Sequence, residues 1–115
     1  MKKLILKSMK VPPLYTQDGN GRKTKFYARL FHNSAQATWY ISEIDMDSNR
    51  AFGLASINGH PFEWGYICLD ELKSLRMRLG KIRLRIPAVE RDTSFSPSFM
   101  SEISELQDFQ TYMGY

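Results

Sequence analysis

Thr38-Trp39-Tyr40-Ile41-Ser42-Glu43-Ile44-Asp45 is dense in β-branched and aromatic residues and reads as a strand. Asp47-Ser48-Asn49 supplies a turn, and Arg50–Ile57 returns as a second strand to make an antiparallel hairpin. Alternation puts Trp39, Ile41 and Glu43 on one face and Tyr40, Ser42 and Ile44 on the other. Downstream, Asn58-Gly59-His60-Pro61 is a strong turn signal before a strand over Phe62–Cys68. Upstream, Asp18-Gly19-Asn20-Gly21 reverses the chain into a strand over Thr24–His32, with Phe26, Ala28 and Leu30 on one face. Sequential strands joined by short turns predict a meander.

The period then changes. Leu69, Leu72, Leu75 and Arg76 recur at helical spacing, with Asp70 and Glu71 in the first turn, which predicts a short amphipathic helix over Leu69–Arg76. Arg76–Ile86 alternates basic and apolar residues with one slip at Gly80, predicting an extended segment that Pro87 interrupts. Phe99, Ile103 and Leu106 predict a C-terminal helix over 98–109. A short helix within Leu4–Met9 is expected to stop before Pro12-Pro13, which removes two backbone donors. The resulting fold class is α+β: an antiparallel sheet of four to five strands with two or three short helices packed on it. One domain spans 1–115, made of an N-terminal piece (1–15), a sheet and helix core (24–95) and the C-terminal helix.

With 115 residues, 43% apolar and 13% aromatic, the composition is that of a globular domain and excludes a disordered tail. No apolar run approaches the ~18 residues of a membrane span, and the apolar stretch Leu4-Ile5-Leu6 is too short for a signal-peptide core, so a cytoplasmic location without membrane attachment is expected. Cys68, the only cysteine, has no disulfide partner in the chain. It lies in an apolar strand end, where a thiol ordinarily behaves as a small hydrophobe. The net charge of +4 conceals segregation: residues 1–35 carry +7, 36–71 carry −5, 72–91 carry +6 and 92–115 carry −4. Such blocks either form a basic surface for an anionic partner or neutralise one another across the fold.

Four motifs occur in one order: Ala37-Thr-Trp-Tyr-Ile-Ser-Glu-Ile-Asp45, Ala51-Phe-Gly-Leu54, Glu63-Trp-Gly-Tyr-Ile-Cys-Leu-Asp-Glu-Leu72 and Val89-Glu-Arg-Asp92. In this the chain resembles a small bacterial domain of unknown function, numbered twenty-nine fifty-eight in its naming series, over about residues 26 to 97. The resemblance implies an accessory protein of bacterial chromosomes, plasmids, phages and other mobile elements. It carries over no activity and no site residues. One departure stands out. The family's short Leu-Arg-Gly-Pro-Leu-Gly-Leu-like connection is replaced by the longer, basic Arg76–Pro87.

If Arg76–Ile86 is one strand, Arg76, Arg78, Lys81, Arg83 and Arg85 form a row of cations spaced every ~6.6 Å, suited to successive phosphates. The commoner reading is a solvated strand face that resists aggregation. Basic residues within 2–25 extend that surface if the fold brings the blocks together. Trp64 and Tyr66 are candidates for stacking on bases, against the ordinary role of cross-strand packing. Glu90, Arg91 and Asp92 form a charged cluster, read first as a structural ion pair and second as a partner contact. Glu43, Asp45 and Asp47 alternate toward one side, where a solvated acidic edge outweighs a cation site. His32 and His60 fit turn and strand-end roles. There is no Gly-rich phosphate loop, nucleophile elbow or HExxH motif, so no catalytic, cofactor-binding or metal residues are assigned.

The leading expectation is a non-enzymatic accessory or interaction domain acting by protein binding, with antagonism of a host defence complex or a homodimer through a strand edge among its forms. Nucleic-acid binding through 76–85 and 2–25 is the alternative. A weak metal-dependent hydrolase using Glu43, Asp45, Glu90 or Asp92 is the rival from another class.

Overall fold

A computed structural model describes residues 3–78 and 85–115. Strands β1 (Lys25–Phe26), β2 (Ala28–His32), β3 (Ala37–Asp45), β4 (Arg50–Ile57) and β5 (Glu63–Cys68) lead into helix α1 (Leu69–Ser74). Strands β6 (Arg76–Arg78), β7 (Arg85–Pro87), β8 (Val89–Arg91) and β9 (Ser98–Phe99) precede helix α2 (Gln107–Met113). The main sheet is five-stranded and antiparallel, in the order β5-β4-β3-β2-β8. It contains the expected meander, β2 to β5, with β8 added beside β2. The fold class is therefore α+β, as the alternation predicts.

Both faces of the sheet are covered. On one, Leu30, Trp39, Ile41, Ile44, Ile67 and Val89 pack against Leu4 and Ile5 of the N-terminal segment and Leu69 and Leu72 of α1. On the other, Phe26, Tyr40 and Leu54 pack against Met100, Ile103, Leu106 and Phe109. Each large apolar side chain buried this way contributes about 1.5–3 kcal/mol.

Several local expectations are corrected. The pairing of β3 with β4 slips between Ile41 and Glu43. This bulge inserts Ser42 as an extra residue, so Ile44 joins Trp39 and Ile41, whereas simple alternation assigns it to the face of Tyr40. The expected first strand breaks at Tyr27, whose N–H donates to the Ile41 carbonyl at 2.8 Å, and β1 pairs with β9. Phe26 consequently packs with Tyr40 and Leu54, away from Ala28 and Leu30. Helix α1 stops at Ser74, because Leu75 is already extended with ψ at 135°. Arg76–Ile86 is not one continuous strand: β6 and β7 pair antiparallel as a ribbon, with Arg78 opposite Arg85.

The expected helix over 98–109 resolves into 3₁₀ turns at Met100–Glu102 and Ser104–Leu106 followed by α2. The buried residues recur every three positions, the spacing a 3₁₀ turn aligns. Phe99 is 45% exposed and Met100 takes the inward place. In the N-terminal segment, the helical part is a single 3₁₀ turn, Lys7–Met9, ended by Lys10 in the left-handed conformation. Cys68 is exposed, because Ile67 takes the core side of an alternating strand. Among the described residues no helix is long and apolar enough to cross a membrane.

Candidate functional site

The ribbon starts where α1 ends. The Ala88 N–H donates to the Leu75 carbonyl at 3.0 Å and closes its base, while an Arg76 guanidinium nitrogen donates to the Lys73 carbonyl at 2.6 Å. Directly opposed residues in an antiparallel pair share a face, so Arg78 and Arg85 project together, with Arg76 two residues along on the same side. Met77 and Ile86, also opposed, take the other face and are half-buried. Like charges directly opposite one another destabilise a pair of strands. Among the described residues, both ion pairs belong to Arg29, and no carboxylate offsets Arg78 or Arg85. Lys81 and Arg83, the other two members of the expected row, lie outside the described residues.

Beside the ribbon's base is a recess of about 440 Å³, lined among others by Lys3, Leu4, Phe31, Lys73, Pro87 and Arg91. Here the two basic blocks meet, Lys3 from the first and Lys73 and Arg91 from the second. Other members of the first block have different neighbours, Arg29 on Asp92 and Glu105 among them. Lys25, for example, lies on β1, with its Nζ 5.3 Å from the Tyr27 ring and 5.9 Å from that of Phe99.

Glu90, Arg91 and Asp92 do not pair with one another, because neighbours on a strand point to opposite sides. The Arg91 guanidinium donates to the Leu4 carbonyl at 3.0 Å, tying down the N-terminal segment. Asp92 accepts from the Ser94 hydroxyl at 2.6 Å and from Arg29 at 3.4 Å, and these contacts, Ser94 first, hold its carboxyl below the usual range. Glu90 is exposed.

Trp64 and Tyr66 sit on β5, at the opposite edge of the sheet from β8. Four strand spacings of ~4.8 Å place those edges about 19 Å apart. Trp64 stacks on Phe52 and Phe26, with ring centroids at 5.7 and 6.1 Å, and its indole N–H donates to the Tyr115 hydroxyl. Tyr66 is 51% exposed, with the Arg50 guanidinium 4.6 Å from its ring centre and its hydroxyl 2.9 Å from that of Tyr15.

The acidic residues of β3 have local work. Buried Glu43 accepts the backbone N–H groups of Tyr15 at 3.0 Å and Gln17 at 2.5 Å, and Asp45 accepts from Asp47 and Ser48 in the following turn. His32 Nδ1 accepts the backbone N–H groups of Ser34 and Ala35, a turn role. Among the described residues no three of His, Cys, Asp and Glu assemble into a metal-binding group.

Sequence reasoning missed one cluster. The Tyr40 hydroxyl donates to Glu105 Oε1 at 2.5 Å, and Arg29 Nε donates to the same oxygen at 3.1 Å. Burial and the bond to Glu105 push the Tyr40 phenol well above its ordinary value. Burial alone raises the Glu105 carboxyl, but the bonds from Arg29 and Tyr40 outweigh it, and the group lies below the usual range. The residues are far apart in the chain, and no motif announces them.

These features sit on a framework that other chains share. The family model described as a protein of unknown function, DUF2958, matches residues 15–111. The chain belongs to that family. The DUF2958 match takes in the bulged β3–β4 hairpin, the ribbon and the Tyr40–Glu105 pair. No curated protein and no solved structure gives a significant match.

Proposed function

We propose that this DUF2958 protein is a nucleic-acid-binding accessory domain that grips the phosphate backbone with the face of its β6–β7 ribbon. The observation that supports this is the opposed Arg78–Arg85 pair. Two guanidinium groups on facing positions repel one another and would be relieved by an anion between them, and arginine forks suit phosphate oxygens. Met77 and Ile86, half-buried on the reverse face, favour presentation of the arginines outward. Phosphate contacts position a protein on nucleic acid without selecting sequence. A place among mobile-element proteins, implied by the resemblance, belongs to the same proposal.

Fluorescence anisotropy with a labelled oligonucleotide tests it. The wild-type chain is expected to bind, and Arg78→Glu with Arg85→Glu to abolish binding at physiological salt while the folded spectrum is retained. Retention of full affinity by that variant would overturn the reading.

Protein binding is a second reading, favoured by the outer edge of β5. Among the described residues Glu63–Cys68 pairs with β4 alone, and Tyr66 on it is exposed. A stable complex or homodimer lost on substituting Tyr66→Asp, exposed on that strand, would support it; a monomer at all concentrations, with nothing co-purifying, would count against it.

A further inference from the structure

The recess at the base of the ribbon has a chemistry of its own. Its apolar lining is Leu4, Phe31, Pro87 and Val89, and its charged lining is three cations, Lys3, Lys73 and Arg91, against two carboxylates, Glu90 and Asp92, the second of which is bonded to Arg29 and Ser94. It is joined to the ribbon by covalent and hydrogen-bonded neighbours: Pro87 ends β7 opposite Arg76, and Arg76 bonds the Lys73 carbonyl. Strand β8 adds a third element. Bonds from Asn33 N–H to the Ala88 carbonyl and from Asp92 N–H to the Arg29 carbonyl place 88 and 92 inward toward β2. By antiparallel alternation the backbone N–H and C=O of Val89 and Arg91 face away from β2, along the outer edge of the sheet, and both residues line the recess.

An apolar and aromatic lining, the open backbone edge of β8 and a small excess of cations are complementary to one nucleotide, the apolar lining to its base, the backbone edge and Glu90 to the base's polar atoms and Lys3 and Lys73 to its phosphate. The volume of about 440 Å³ lies within the range of small-ligand sites. A base still paired inside a duplex cannot enter such a recess; an unpaired one can. We infer that the recess takes one unpaired nucleotide of a single strand whose neighbouring phosphates lie on the ribbon, so that the protein prefers single-stranded to duplex nucleic acid. This rests on the ribbon reading above, and it assigns the recess, which that reading leaves unused.

The test compares the full-length protein's affinity for a labelled single-stranded oligonucleotide and for the duplex of the same length, in the wild type and in Lys3→Ala with Lys73→Ala. The wild type is expected to favour the single strand by about tenfold, the order of one base stacked and held. The double variant is expected to lose about fivefold on the single strand and to change little on the duplex. If its circular dichroism departs from the wild type, Lys3→Ala alone, at an exposed side chain, is measured in its place and is expected to show the same selective loss. Equal wild-type affinity for both forms, or an equal loss on both in the variant, would overturn the recess assignment while leaving the ribbon reading standing. Displacement of the strand by a micromolar free mononucleotide would overturn the assignment to a strand. Absence of wild-type binding to either form would overturn both.

Discussion

Gly53 lies against the carbonyl oxygen of Tyr40 so closely that a Cβ at position 53 would sit 1.9 Å from it. Gly53 pairs with Ile41, next to the bulge at Ser42 that puts Trp39 and Ile44 on the same side of a single sheet. Gly53→Ala is expected to force the strands apart and cost about 3 kcal/mol, the upper range for overpacking a filled core. Urea denaturation measures it. Gly65→Ala is the control, since nothing lies within 4 Å of its added carbon, and it is expected to be neutral or to stabilise by about 0.5 kcal/mol.

Glu43 holds the loop before β1 by accepting two backbone N–H groups with a buried carboxylate. Gln17, one of the two residues bonded, uses its own side chain to donate to the Lys25 and Ser42 carbonyls and to accept the Lys25 N–H. Glu43→Ala is expected to leave these amides unpaired and lower stability by about 3 kcal/mol, with Glu43→Gln losing less because its amide oxygen still accepts one bond. Equal stability of Glu43→Ala and wild type in thermal or urea unfolding would contradict the role.

The Tyr40–Glu105–Arg29 cluster makes stability depend on pH at both ends. Glu105 has a folded value below its ordinary 4.5, so its contribution is present above about pH 4.5 and is lost as pH falls through the folded value. Tyr40 has a folded value above its ordinary 10.0, so stability falls as pH rises beyond that point. Tyr40→Phe is expected to flatten the alkaline limb and Glu105→Gln to reduce the acid one. Asp92, also lowered, contributes to the same acid limb. Unchanged limbs in denaturation midpoints measured across pH would remove the cluster from the account.

The meander was legible because Trp39, Tyr40, Ile41 and Ile44 combine β propensity with turn residues on either side. What alternation could not convey was the place where it stops. Ser42 adds one residue at the bulge, and nothing in Ile41-Ser42-Glu43 marks that slip, although Gly53 across the ladder is its counterpart. Arg76–Arg78 and Arg85–Pro87 were legible as extended but not as two strands of one ribbon, because pairing between β6 and β7 is a tertiary event. Arg91 read as an ion-pair partner of its neighbours, whereas strand geometry sends it to the Leu4 carbonyl. Tyr40 and Glu105 meet only because the C-terminal turns fold across the sheet.

The dependence of oligonucleotide affinity on salt tests the central claim most directly. For single strands each neutralised phosphate lowers the slope of log affinity against log salt by about 0.7, so Arg78 and Arg85 together predict a slope of about −1.4 or steeper for the wild type. Arg78→Glu with Arg85→Glu should make that slope shallower by about 1.4. A wild-type slope near zero, or the same slope in the variant as in the wild type, would contradict a ribbon that binds phosphates.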